Sequence, residues 1–168
     1  SYWQSLNGTW KFHWAPNPDE RPKAFYETQF DVAAWDDITV PSCWNVVGIQ
    51  KDGSLKYGVP IYCNQPVIFK HTKVVGDWKG GVMREPNKDW TTYKYRNEVG
   101  SYRRTFRIPE DWREREVYIN FDGVNSFFYL WINGKYVGFS KNSRNTASFN
   151  ISDYLVKGEN MVAVEVYR

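Results

Sequence analysis

Val117-Tyr118-Ile119-Asn120-Phe121, then Asp122-Gly123, then Phe127-Phe128-Tyr129-Leu130-Trp131-Ile132, then Asn133-Gly134, then Lys135-Tyr136-Val137-Gly138-Phe139: this stretch decides the fold. Val117, Ile119 and Phe121 alternate with Tyr118 and Asn120, the two-residue period of a strand with one buried face. Asp122-Gly123 breaks it. The run from Phe127 to Ile132 is apolar on both faces, which predicts a central strand covered on either side. Asn133-Gly134 between two such runs predicts a hairpin turn of type I′, whose two central residues need positive φ. The stretch predicts the core of a β-sandwich.

The flanks agree. Trp10, Phe12 and Trp14 share one face of a short strand ended by Pro16 and Pro18, and Ile38 to Val40 stops at Pro41, which cannot donate to a ladder. Ser101 to Ile108 places Tyr102, Arg104, Phe106 and Ile108 on one face before Pro109. Ala147 to Ile151 and Met161 to Tyr167 complete the set, the last with Val162, Val164 and Val166 on one face. Asp153-Tyr154-Leu155 predicts one helical turn. Residues 51–99 have little periodicity and several glycines and prolines, so they are expected to form one long elaborated loop, a length usual only for functional loops.

Composition supports an all-β class. Thirty-one of the 168 residues are Phe, Tyr or Trp, and 33 are Val, Ile or Thr, whereas Leu and Ala together number ten. Helical bundles need the reverse balance. A net charge of +3 is far from the basic stripe of a nucleic-acid binder, so no nucleic-acid partner is expected. The strongest candidate for one is the stretch 84–107, where Arg84, Lys88, Lys94, Arg96, Arg103, Arg104 and Arg107 mix with Trp90, Tyr93, Tyr95 and Tyr102; Glu85, Asp89 and Glu98 dilute it. No apolar run approaches a membrane span, and no membrane partner is expected. Cys43 and Cys63 have no metal-site spacing and read as free thiols unless the fold brings them together.

Catalytic motifs are missing from this reading. No pair of carboxylates stands out among turn-borne Asp and Glu. His13 and His71 sit on separate elements with no neighbouring ligands, and there is neither a nucleophile elbow nor a phosphate-binding glycine loop. Carbohydrate binding suits an aromatic-rich sandwich.

Six strings sharpen this when taken in order. They are Ser5-Leu6-Asn7-Gly8-Thr9-Trp10-Lys11-Phe12, Val40-Pro41-Ser42-Cys43-Trp44, Pro60-Ile61-Tyr62-Cys63-Asn64, Phe121-Asp122-Gly123-Val124-Asn125-Ser126, Leu130-Trp131-Ile132-Asn133-Gly134 and Val137-Gly138-Phe139-Ser140-Lys141-Asn142-Ser143-Arg144. Together they resemble the N-terminal sugar-binding domain of family 2 glycoside hydrolases, and within it the large bacterial β-galactosidases. The match covers nearly the whole chain; residues from about 67 to 99 look like an insertion.

The resemblance implies a jelly-roll β-sandwich of the galactose-binding-domain-like fold, one domain over residues 1–168, at the front of a longer enzyme. Retaining hydrolysis of terminal β-D-galactosides would take place in a barrel that this chain lacks, with no catalytic residue here. Asn64 matches a family asparagine that bonds the bound galactose. Asn142 stands where the family has an aspartate that binds the sugar and a sodium ion; its amide offers only a carbonyl dipole to a cation. Arg144 is expected to make a structural pairing. Full-length members suggest magnesium and sodium as cofactors, none of them held by this chain alone. The implied partners are a β-galactoside substrate, downstream domains of the same enzyme and a second copy in a homo-oligomer, in the bacterial cytoplasm or periplasm. The alternatives are a self-sufficient carbohydrate-binding module, or the equivalent domain of a family 2 β-glucuronidase or β-mannosidase.

Overall fold

A computed structural model describes residues 2–60, 97–112 and 114–168. Eight strands build two antiparallel sheets. They are β1 (Gly8–Ala15), β2 (Asp36–Val40), β3 (Val99–Arg107), β4 (Tyr118–Phe121), β5 (Phe127–Ile132), β6 (Lys135–Ser140), β7 (Ala147–Asn150) and β8 (Glu159–Tyr167). Six of them form one sheet in the order β2-β1-β3-β8-β5-β6, and β4 pairs with β7. A short helix, α1 (Trp44–Val47), follows β2 at a place with no helical period in the sequence.

The core lies between the sheets. Trp10 and Phe12 of β1, Phe106 of β3, Phe128, Leu130 and Ile132 of β5, and Val162, Val164 and Val166 of β8 face Val117 and Ile119 across it. Phe121 and Phe149 from the small sheet close on Phe128, with ring centroids 4.8 and 6.0 Å away. The alternation expected from Val117 through β4 and in β8 places Val117, Ile119, Val162, Val164 and Val166 on the faces that meet in this core.

At the hairpin, Asn133 and Gly134 both take positive φ, 51° and 81°. The Asn133 side chain also anchors the turn to β8: its Oδ1 accepts from the Met161 N–H at 2.8 Å, and its Nδ2 donates to Tyr154 O at 2.8 Å. The helical turn expected near Asp153 is a 3-10 turn at Ser152–Tyr154.

Three expectations need correction. β5 is central by hydrogen bonding, between β8 and β6, but only its Phe128-Leu130-Ile132 face is buried. Phe127, Tyr129 and Trp131 point out of the sandwich and are half-buried among other rings, because the second sheet covers one side only. An apolar run on both faces here means core on one side and an aromatic ladder on the other.

Second, β6 is not a plain strand. The register with β5 shifts between Leu130 and Trp131, so Trp131 pairs with Tyr136 and Leu130 with Gly138. The extra residue, Val137, turns in against the core. Tyr136 and Phe139, three apart, then share the outer face. Gly138 sits under Phe149, whose Cε1 would lie 2.9 Å from an added Cβ.

Third, the stretch read as one loop from 51 is built for its first ten residues. Ile49 bridges Leu55, and the Lys56 N–H donates to Gly48 O at 2.9 Å. Tyr57 is buried in the core, and β3 already begins at Val99.

Arg103 and Arg104 of the basic stretch serve the fold. Arg103, 8% exposed, donates to the carbonyls of Phe25, Glu27 and Phe30 and so ties down the segment that roofs β8. Arg104 donates to Leu6 O and Asn7 O at 2.8 and 2.9 Å. Both saturate carbonyls that no strand pairs.

Candidate functional site

One end of the sandwich gathers the features a ligand would meet. The β2–α1 connection and the β4–β5 connection stand on either side of a cavity of about 380 Å³. Trp10, Tyr102, Val164 and Val166 line it from the large sheet and Phe121 from the small one, while Pro41 to Trp44 and Gly123 to Asn125 form its lips. None of the described residues lining it is Asp or Glu. Burial, reinforced by the neighbouring Cys43 thiol, pushes the Tyr102 phenol far above its ordinary range, so it stays a neutral hydroxyl at any physiological pH. Cys43 is exposed and free; Cys63 lies outside the described residues, as does Asn64.

Asn142 is at the same end. It follows β6 in a turn in which its N–H donates to Ser140 Oγ at 3.4 Å and its carbonyl accepts from the Asn145 N–H at 3.3 Å. Ser143 Oγ donates to Ser126 O at 3.3 Å, which fixes this turn on the β4–β5 lip of the cavity. The side-chain amide of Asn142 is exposed and makes no hydrogen bond among the described residues. The turn is thus held at three points, and the Asn142 amide is left free to donate and to accept. Arg144 is exposed and has no partner among the described residues, so the structural pairing expected of it is not found there.

Beneath the lip lies a polar network that sequence reasoning missed. Glu98 is fully buried, and its Oε2 accepts from Trp44 Nε1, Asn45 Nδ2 and Arg168 Nη1 at 3.4, 3.1 and 3.2 Å. Asn45 Nδ2 also donates to Tyr57 O at 2.6 Å, and Arg168 Nη1 to Asn45 Oδ1 at 2.7 Å and Val59 O at 3.2 Å. The Arg168 N–H donates to Glu98 O at 3.1 Å. One carboxylate therefore locks together α1, the chain entering residue 60, the chain leaving residue 97 and the end of β8. That lock fixes the two described borders of the stretch 61–96, to which Asn64 belongs. Gly58, at φ 70°, is required here, since a Cβ would run into Glu98 Oε1. Sequence alone offered one hint: a glutamate directly before a strand that is otherwise basic.

A second polar group lies on the far side of β1. Asp36 accepts from Lys56 Nζ and, at 2.8 Å, from Tyr57 Oη. The Lys56 bond, helped by Tyr57, holds the Asp36 carboxyl below its ordinary range. Burial pushes His13 down, against the opposing pull of Asp36, and the ring packs on Trp35 at 5.3 Å. Among the described residues, no three His, Cys, Asp or Glu side chains converge as metal ligands. At Asn142 a cation would meet a neutral amide carbonyl, which offers a dipole and no charge. Glycoside hydrolysis needs two carboxylates across the scissile bond, and nothing on these lips provides them.

The family described as glycosyl hydrolases family 2, sugar binding domain, matches residues 3–84 and 87–168. A β-galactosidase of Priestia megaterium is 44% identical over 167 residues, 99% of this chain and 14% of that protein. One from Halalkalibacterium halodurans is 41% identical over 164 residues, 98% of this chain and again 14% of that protein. The chain thus spans about a seventh of the curated relatives it matches. Among solved structures, a β-glucuronidase of Bacteroides uniformis superposes with a TM-score of 0.63 over 98% of this chain and 14% of its own, at 24% identity, a likeness of fold. The jelly-roll sandwich expected from the sequence is the fold found, and the chain belongs to the family 2 glycosyl hydrolases as their sugar-binding domain.

Proposed function

We propose that this chain is the non-catalytic N-terminal domain of a retaining β-galactosidase, and that it lends Asn142 and Asn64 to the rim of an active site whose two carboxylates lie further along the polypeptide. The observation that carries this reading is the 44% identity to a β-galactosidase along 99% of the chain. The unbonded Asn142 amide on a lip with no carboxylate pair supports the division of labour: this domain recognises hydroxyls, and another part of the enzyme does the acid–base chemistry. Magnesium or sodium, if the full enzyme uses them, would be held chiefly by groups outside the described residues.

The test has two arms. The purified 168-residue chain should show no turnover of an aryl β-galactoside; measurable turnover overturns the proposal. In the full-length enzyme, Asn142→Ala should lower kcat/KM for the galactoside by roughly 5- to 150-fold, the cost of about 1–3 kcal/mol for a substrate hydroxyl left unpaired. An unchanged kcat/KM removes Asn142 from the site. Offering an aryl glucuronide in the same assay separates the β-glucuronidase alternative, and a preference for it would replace the galactoside assignment.

A further inference from the structure

Among the described residues, the outer face of the large sheet is only half roofed. Over β8 and the near end of β5, the segment after the first 3-10 turn supplies the roof: Phe25 is fully buried, packed on Met161 and Ala163, with Phe30 and Trp35 beside it. The roof ends at Tyr26, whose ring stacks on Trp131 at 4.9 Å with only 5° between planes.

Beyond that edge the face is aromatic and open. Phe127, Tyr129 and Trp131 of β5, Tyr136 and Phe139 of β6, and Tyr167 of β8 form one connected array, with neighbouring centroids 4.7 to 6.4 Å apart. Tyr136 is 50% and Phe139 52% exposed. The bulge at Val137 creates this surface, since without it two residues three apart would point to opposite faces. Large rings gathered in one exposed patch mark an interface, and Phe, which can bond to nothing polar, marks one whose centre is dry.

Two observations say what covers it. Tyr167 belongs to the array, touching Phe127 and Tyr129 at 5.7 and 6.1 Å, so β8 delivers the backbone to Arg168 at the border of the open face. The relatives continue far past the matched region, which is 14% of their length. We propose that the array is the docking face for the polypeptide that follows Arg168 in the full-length enzyme, which seats an apolar surface on Tyr136, Phe139 and Tyr129 and so orients the sandwich end that bears Asn142. This rests on the function proposed above only in taking the chain to continue past Arg168. It makes no claim about the substrate.

Hydroxyl-radical labelling read by mass spectrometry tests it on the isolated 168-residue chain and the full-length enzyme. Tyr118, 51% exposed on the other sheet, is the reference for equal dosing. Tyr136 and Phe139 should label at least about fivefold more slowly in the full-length enzyme, as residues sealed from water in an interface do. A smaller decrease overturns the proposal. So does slowing in the isolated chain over roughly a hundredfold rise in its concentration, which would assign the face to a second copy. As a second measurement, the paired substitution Y136K and F139K should leave the isolated chain's melting temperature within about 2 °C, as exposed sites do, and lower that of the full-length enzyme. Equal shifts in the two proteins overturn it. Since neither readout uses turnover, failure of the galactosidase reading would leave these results standing.

Discussion

Removing the Glu98 carboxylate should destabilise the domain more than any other single polar substitution among the described residues. In Glu98→Ala, Arg168, Asn45 and the Trp44 indole each lose their shared acceptor in a place where Glu98 is fully buried. Breaking a buried ion pair from one side costs about 3–5 kcal/mol, because the surviving charge is left uncompensated. Arg168 retains the carbonyl of Val59 and the amide of Asn45, and its side chain is 21% exposed, so the lower end of that range, about 3 kcal/mol, applies. At about 2–4 °C per kcal/mol for a chain of this size, the melting temperature should fall by roughly 6–12 °C. Glu98→Gln keeps the shape and one acceptor oxygen and should lose about half as much. The control is Asp37→Asn, which breaks the exposed Lys11–Asp37 pair at 2.9 Å and should change stability by less than about 1 kcal/mol. Scanning calorimetry of the three variants decides the matter. If Glu98→Ala melts within about 2 °C of the parent, Glu98 does not lock the borders of residues 61–96 and the account of that lip is wrong.

Two further outcomes follow from the packing and the titrations. Gly138→Ala should destabilise by about 1–3 kcal/mol, since its Cβ would press on Phe149 at 2.9 and 3.2 Å; denaturant melts showing no loss would mean that the small sheet yields freely there. His13 favours its neutral form in the folded state, so the unfolded chain binds the extra proton and stability should fall as pH drops below about 6.5. His13→Gln should remove that part of the slope and leave the loss at lower pH, where Asp36, held below its ordinary range, must finally protonate. Identical pH profiles for parent and variant between about pH 7.5 and 5 would show that His13 is not the group responsible.

What the sequence made legible is what repeats at short range. The Val117 to Phe121 alternation, the Asn133-Gly134 turn and the valines of β8 each declare themselves within a few residues, because a strand's faces follow a period of two. The bulge at Val137 does not, since one inserted residue leaves every hydrophobic in place and changes only which way it points. For the same reason the apolar run of β5 could not reveal that its second face meets rings and not a second sheet. The Glu98 network was out of reach for a different cause. It joins residues 45, 57, 59, 98 and 168, which no pattern in the chain relates. Of the two candidate sugar contacts, Asn64 lies outside the described residues, and for Asn142 the structure shows only what no motif could, that its turn is fixed by Ser143 on Ser126 and Asn145 on Asn142 itself.

These contacts make the lip and the docking face parts of one argument. Asn142 hangs from the end of β6, and β6 also carries Tyr136 and Phe139. The rings proposed to dock and the amide proposed to recognise substrate thus lie a few residues apart on one hydrogen-bonded strand, which β5 holds from Phe128 to Ile132. A contact to one substrate hydroxyl is useful only if the amide meets it within a few tenths of an ångström each time, and a domain tethered by a linker alone could not achieve that. A rigid strand docked at one end and recognising at the other can. On this view the aromatic excess that marks the sequence serves mainly to position, through core and interface, while the chemistry of recognition rests on a small amide that composition would never single out.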